Sequence, residues 1–117
     1  MEAIELAKKI VAALESKKAL ELKLLKVEDL TVLTDYFVIA SGTSNTHVGA
    51  LAEEVDYRLS KEGIEPSRVE GAKSRSWILM DYGSVVAHIF YPETREYYAL
   101  ERLWADAVPV ELEPESV

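Results

Sequence analysis

Few side chains in this sequence are of types that do chemistry, and their spacing decides what chemistry is open to them. Ser41-Gly42-Thr43-Ser44 follows a strand-like run and opens a helix-like one. That is the usual setting in which free backbone N–H groups hold an anion. The loop has one glycine, no P-loop lysine and no dinucleotide-binding spacing. A tight turn with Ser44 as N-cap accounts for it without a ligand. Downstream, Glu54-Val55-Asp56 reads acid, apolar, acid, a pattern that can hold two magnesium ions in nucleotidyl transfer. Carboxylates at i and i+2 converge on one face only in a strand. Here Val48, Leu51, Val55 and Leu59 recur at helical intervals, so Glu54 and Asp56 are expected on a solvated helix flank. His47 or His88 could be drawn as the base of a Ser-His-acid triad, but no nucleophile elbow accompanies either. His47 is expected as a surface or capping side chain in the first turn of the second helix. The absence of cysteine excludes disulfides, thiolate metal sites and a cysteine nucleophile, and two histidines argue against a protein-only zinc site. No catalytic, cofactor-binding or metal-binding residue is therefore expected. The alternative is a nucleotide-binding transferase that holds phosphate with Ser41 to Ser44 and metal with the nearby acids.

The elements that must position these residues follow from hydrophobic period. Ile4, Ala7, Val11 and Leu14 recur every three or four residues and predict an amphipathic helix over 2–16. Leu20, Leu22 and Leu24 alternate with Glu21 and Lys23, the period of a half-buried strand whose charged side suggests a sheet edge. Tyr36-Phe37-Val38-Ile39-Ala40 is apolar on both parities and predicts a central strand. A second helix runs from Ser44 toward Gly63 as its C′ residue, with Pro66 beyond. Residues 67–71 are read as a short strand returning beside the central one. Runs at 76–81 and 84–90, parted by Tyr82-Gly83, predict a hairpin, and 97–107 a helix with Leu100, Leu103 and Trp104 on one side. Residues 1–106 are expected to form a single domain, and 107–117 an acidic, frayed tail.

With Tyr82-Gly83 as a two-residue loop, Asp81 faces Ser84, Leu79 faces Val86 and Trp77 faces His88, while Met80 faces Val85 and Ile78 faces Ala87. Both hairpin faces are then largely apolar. Helices can cover one face of a small sheet, and the other needs a second cover. Trp77, Leu79 and Val86, interleaved with His88, Asp81 and Ser84, read as a protein-binding patch: an aromatic anchor among hydrogen-bonding groups. The alternative is that this face is the core and the Ile78, Met80, Val85 face is half exposed. The sequence alone leaves both open.

The charge balance narrows the partner. Of 117 residues, 13 are Lys or Arg and 21 Asp or Glu, for a net charge of −8. Binding to a phosphate backbone needs the opposite sign concentrated on one face, so duplex DNA and bare RNA are not expected partners. No apolar run is longer than the five residues of Tyr36 to Ala40, far short of the ~20 residues that cross a bilayer. The first ten residues carry charges and no secretory pattern, so neither membrane insertion nor export is expected.

Four ordered blocks carry a resemblance that spans most of the chain: Asp35-Tyr36-Phe37-Val38-Ile39-Ala40-Ser41-Gly42-Thr43-Ser44, Val69-Glu70-Gly71, Trp77-Ile78-Leu79-Met80-Asp81-Tyr82-Gly83 with His88, and Leu100-Glu101-Arg102-Leu103-Trp104. Together they resemble the ribosomal silencing factor family, RsfS, also called Iojap. The resemblance implies an α/β fold: a mixed sheet of about five strands with helices mainly on one face, in a nucleotidyltransferase-like topology without catalytic residues. It implies no cofactor, a cytoplasmic location, and homodimers when free. It also implies binding to the large ribosomal subunit through its protein fourteen, uL-fourteen, which blocks subunit joining and represses translation when nutrients are scarce. On this reading Trp77, Leu79, Asp81, Tyr82 and His88 dock on that protein, with Glu70 a rim contact. Ser84 departs from the family, which often has an acid there, and the acidic tail after Asp106 lies outside the shared pattern.

Overall fold

The computed structural model describes residues 2–27, 34–71, 77–91 and 108–110. In chain order the elements are α1 (Ala3–Ser16), β1 (Leu20–Lys26), β2 (Tyr36–Ser41), α2 (Asn45–Ser60), β3 (Arg68–Glu70), β4 (Trp77–Asp81), β5 (Val85–Phe90) and β6 (Val108–Val110). They build an α/β fold around one mixed sheet in the order β3-β4-β5-β2-β1-β6. The β2–β5 pair is parallel and the remaining pairs are antiparallel. The expected helix over 97–107 lies outside the described residues.

Both helices form where the apolar period predicts, and both pack on the same sheet face. Leu6, Ala7, Ile10, Val11 and Leu14 of α1, with Val48, Leu51, Val55 and Leu59 of α2, enclose Leu24, Val38, Ala40, Ile78, Met80, Val85, Ala87 and Ile89. The Ile78, Met80, Val85 side of the hairpin is therefore the helix-covered core. Ser44 caps α2 as expected, its Oγ accepting from the His47 N–H at 3.1 Å. The helix closes with the Gly63 N–H on the Ser60 carbonyl and the Ile64 N–H on the Leu59 carbonyl, with Gly63 at φ +77.

Four expectations are corrected here. The sheet has six strands, because Val108–Val110, placed by the sequence in a frayed tail, pairs with Leu24–Lys26 and packs Val110 against the helix-side core. β1 is consequently not the outermost strand, although its charged residues suggested it. The short strand at Arg68–Glu70 does not lie beside β2: it is an outer strand on β4, and β5 occupies the place beside β2. The reason is burial. All three β3 residues are exposed, whereas five of the six in β5 are buried, as a strand between two others requires.

The fourth correction is the hairpin register. Trp77 pairs with Phe90, Leu79 with His88 and Asp81 with Val86, so the loop is Gly83-Ser84, with Gly83 at φ +85. The shift is two residues, and because side chains alternate with period two it leaves every residue on the face expected of it. Replacing Ser44 by Ala is expected to cost about 1 kcal/mol through loss of the α2 cap. Urea unfolding of the two proteins checks it, and an unchanged midpoint at unchanged slope would remove the cap from the account.

Candidate docking surface

On the face away from the helices, Leu25 and Val27, Phe37 and Ile39 of β2, and Phe90 of β5 form a second buried cluster, against which Trp77 and Val86 pack half-buried. Trp77 stacks on Phe90 at 5.2 Å between ring centroids and 24° between planes. Its indole N–H donates to His88 Nδ1 at 3.2 Å. The imidazole is 6% exposed and meets Phe37 edge-on at 5.0 Å. Half-buried Leu79 and Asp81 extend this face along β4, and exposed Glu70 stands across from Leu79 on β3.

The Trp77 bond fixes the chemistry of His88. A neutral imidazole that accepts at Nδ1 carries its proton on Nε2. That atom is buried and has no hydrogen-bond partner among the described residues. Burial alone pushes the pKa of His88 down from 6.5 to about 4, so the ring is neutral near pH 7. An imidazole so disposed is a support beside the indole and a poor general base. Asp81 is likewise occupied with structure. Its Oδ1 accepts from the Gly83 N–H at 2.8 Å, its Oδ2 lies 3.8 Å from Arg68 Nη2, and its main-chain carbonyl accepts from Ser67.

Five of the six residues expected to dock therefore share one face: Trp77, Leu79, Asp81, His88 and Glu70. Tyr82 does not join them. It follows β4 at a position of the opposite parity and packs against the helix-side core. Its hydroxyl is buried without a partner among the described residues. Burial, with the nearby charges of Asp56 and Glu65, pushes the phenol above its ordinary range. Phe90, the ring beneath Trp77, is absent from the expected set because a Tyr82-Gly83 loop pairs Trp77 with His88, whereas the observed register pairs it with Phe90. Gly83-Ser84, with glycine first, is a recognised two-residue hairpin signal and points to the observed register.

The rival sites resolve into structure. In the loop before α2 the Gly42 N–H donates to the Phe90 carbonyl at 2.9 Å and the Thr43 N–H to His47 Nδ1 at 2.8 Å. His47 Nε2 in turn lies 2.7 Å from the Lys17 carbonyl, which ties the loop to the end of α1. These amides are already satisfied and form no phosphate cradle. Glu54 and Asp56 lie on α2, and Glu54 accepts from Arg58 Nε at 2.7 Å with Lys17 4.0 Å away. Among the described residues no group of His, Asp and Glu could hold a metal ion, and no helix is long and apolar enough to cross a membrane.

The arrangement is thus a sheet face centred on a half-buried indole, and comparison with known proteins says to which family the chain belongs. A crystal structure of a protein from Chromobacterium violaceum superposes with a TM-score of 0.87 at 36% identity, covering 98% of this chain and 92% of that one. The ribosomal silencing factor RsfS of Halalkalibacterium halodurans is 40% identical over 109 residues, 93% of each chain. A Mus musculus protein named for mitochondrial assembly of the ribosomal large subunit is 38% identical over 98 residues, covering 81% of this chain and 43% of that protein. Residues 1–117 match the family described as ribosomal silencing factor during starvation, and the chain belongs to that family. The family is named for a regulatory role, not for catalysis.

Two outcomes test this site. Because the folded pKa of His88 is depressed, the unfolded state binds its proton first as pH falls. The contribution of His88 to stability is therefore complete above pH ~6.5 and is lost on the way to pH ~4, a change on the order of 3 kcal/mol. His88→Gln keeps an acceptor for the indole and does not titrate. Its thermal midpoint should change less across that window than that of the unaltered chain, and parallel curves would refute the assignment. ATP or GTP with magnesium should leave the thermal midpoint unmoved, since a ligand at 100 times its Kd adds about 2.7 kcal/mol. A stabilisation that Asp56→Ala abolishes would restore the transferase reading.

Proposed function

We propose that this chain silences ribosomes by docking the Trp77 face of its sheet on protein fourteen of the large subunit, uL-fourteen, where its bulk keeps the small subunit from joining. The supporting observation is Trp77 itself: a half-buried indole, held by Phe90 below and His88 beside it, on the sheet face that α1 and α2 leave alone. An anchor already held in place loses little side-chain entropy on binding. Trp is also the residue type most enriched where alanine substitution costs most affinity. Leu79 and Val86 supply apolar area around it, and Glu70 supplies an acidic rim.

The sign of the charge fits such a partner. With a net charge of −8 the chain is repelled by rRNA phosphate and attracted to a basic ribosomal protein, which speeds encounter and fixes orientation. An interface of roughly 800 Å² per partner is of standard size for a specific complex. No bond is made or broken: repression of translation under nutrient limitation is occlusion, governed by the concentration of factor relative to its Kd. The place of action is the cytoplasm, where the two subunits meet. In this proposal His88 and Asp81 hold the surface, while Trp77, Leu79 and Glu70 touch the partner. Free of ribosomes the chain is a homodimer, which its mass in solution checks.

Co-sedimentation with purified large subunits, followed by addition of small subunits, tests the function. The chain should travel with the large subunit and reduce formation of the joined ribosome. Trp77→Ala should weaken binding to the isolated ribosomal protein by about 2 kcal/mol, roughly 30-fold. Unchanged affinity in a folded Trp77→Ala protein would remove the anchor and the docking face with it.

A further inference from the structure

We propose that Gly71 is the positioning residue for Trp77: its bare Cα lets the chain leaving β3 close on the Trp77 carbonyl, and that contact sets where the indole stands. The inference rests on Trp77 as the anchor proposed above and adds the residue that places it. A Cβ built on Gly71 would lie 1.9 Å from the Trp77 carbonyl oxygen, 3.0 Å from its carbon and 3.5 Å from the Ile78 Cα. All three are main-chain atoms of the first two residues of β4, so no change of rotamer makes room. Gly71 also sits at φ +81, where residues with a Cβ are strained.

Two other glycines separate these effects. Gly63 at φ +77 and Gly83 at φ +85 share the left-handed backbone, yet a Cβ on either meets nothing within 4 Å. Conformational strain is common to the three, and the collision belongs to Gly71. Relieving it means moving the Trp77 peptide by more than an ångström at the head of β4. The indole hangs from that peptide by two rotatable bonds, and its contacts are narrow in range: a 3.2 Å hydrogen bond to His88 Nδ1 and a 5.2 Å stack on Phe90. A shift of that size breaks the first and offsets the second. Gly71 thus acts on binding through the indole and touches no partner itself. This gives the Val69-Glu70-Gly71 block a physical link to the Trp77 block six residues later.

The test uses the full chain with Trp104→Phe, which leaves Trp77 as the sole indole. Emission and near-ultraviolet circular dichroism report the setting of Trp77, and far-ultraviolet circular dichroism reports the fold. Co-sedimentation with purified large ribosomal subunits reports binding. Gly71→Ala should keep the far-ultraviolet spectrum, change the indole signals and lower affinity tenfold or more. Gly63→Ala, with the same backbone strain and no collision, should match the parent in indole signals and affinity. Indole signals in Gly71→Ala equal to those of the parent would overturn the proposal. So would global loss of structure, since Gly71 would then serve the whole fold and not the anchor. Trp77→Ala separates the two levels. If it sediments like the parent, the docking reading fails and takes the anchor with it. If it fails to bind while Gly71→Ala binds like the parent, the role of Gly71 fails alone.

Discussion

A sheet that is apolar on both faces needs two covers, and α1 and α2 lie on the same one. The rest of the molecule follows from that imbalance. On the helix side Ile78, Met80, Val85, Ala87 and Ile89 are sealed at 2% exposure or less and make an ordinary core. On the far side burial is graded. Phe90 and Ile39 are fully enclosed, His88 nearly so, and Trp77, Leu79 and Val86 stop halfway. Half-burial is what the proposed docking surface requires, because its anchor must be held by its own domain and still offer area to another.

The hydrogen bond from Trp77 to His88 shows how that compromise is kept. A neutral imidazole in an aromatic setting gives up hydration, and its Nε2–H finds no partner among the described residues, a deficit of the order of 1–3 kcal/mol. An apolar ring of similar shape would pack there without the deficit and would leave the indole N–H without an acceptor. The polar atom is thus a means of orientation, turning a bulky aromatic that could slide over Phe90 into one with a fixed direction. Folding stability is exchanged for a defined surface, a balance that suits the proposed docking role.

Charge completes the same picture from the outside. Surface ion pairs such as Lys9–Glu62 and Arg58–Glu54 tie the helical layer together, and pairs of this exposed kind contribute little individually. Their larger consequence is the surplus of acid they leave. A chain at −8 is repelled by nucleic-acid phosphate, and its charge favours a basic protein surface as the proposed partner.

Local physics was legible in the sequence wherever one residue's environment depends on its near neighbours. The helical periods of 2–16 and 44–63, the Ser44 cap, the helix under Glu54 and Asp56 and the two-sided apolar character of β2 all follow from spacing alone. So does the shared face of Trp77, Leu79, Asp81 and His88, because a register error of two residues preserves parity. Tertiary structure decided what depends on distant pairing. It put β5 and not β3 beside β2, carried Val108–Val110 across to β1, set Phe90 under Trp77, turned Tyr82 toward the helices and brought Gly71 against the Trp77 carbonyl. Period records which way a side chain points, through geometry within a few residues. The choice of neighbouring strand is a comparison of burial energies over the whole sheet, and no local window contains it.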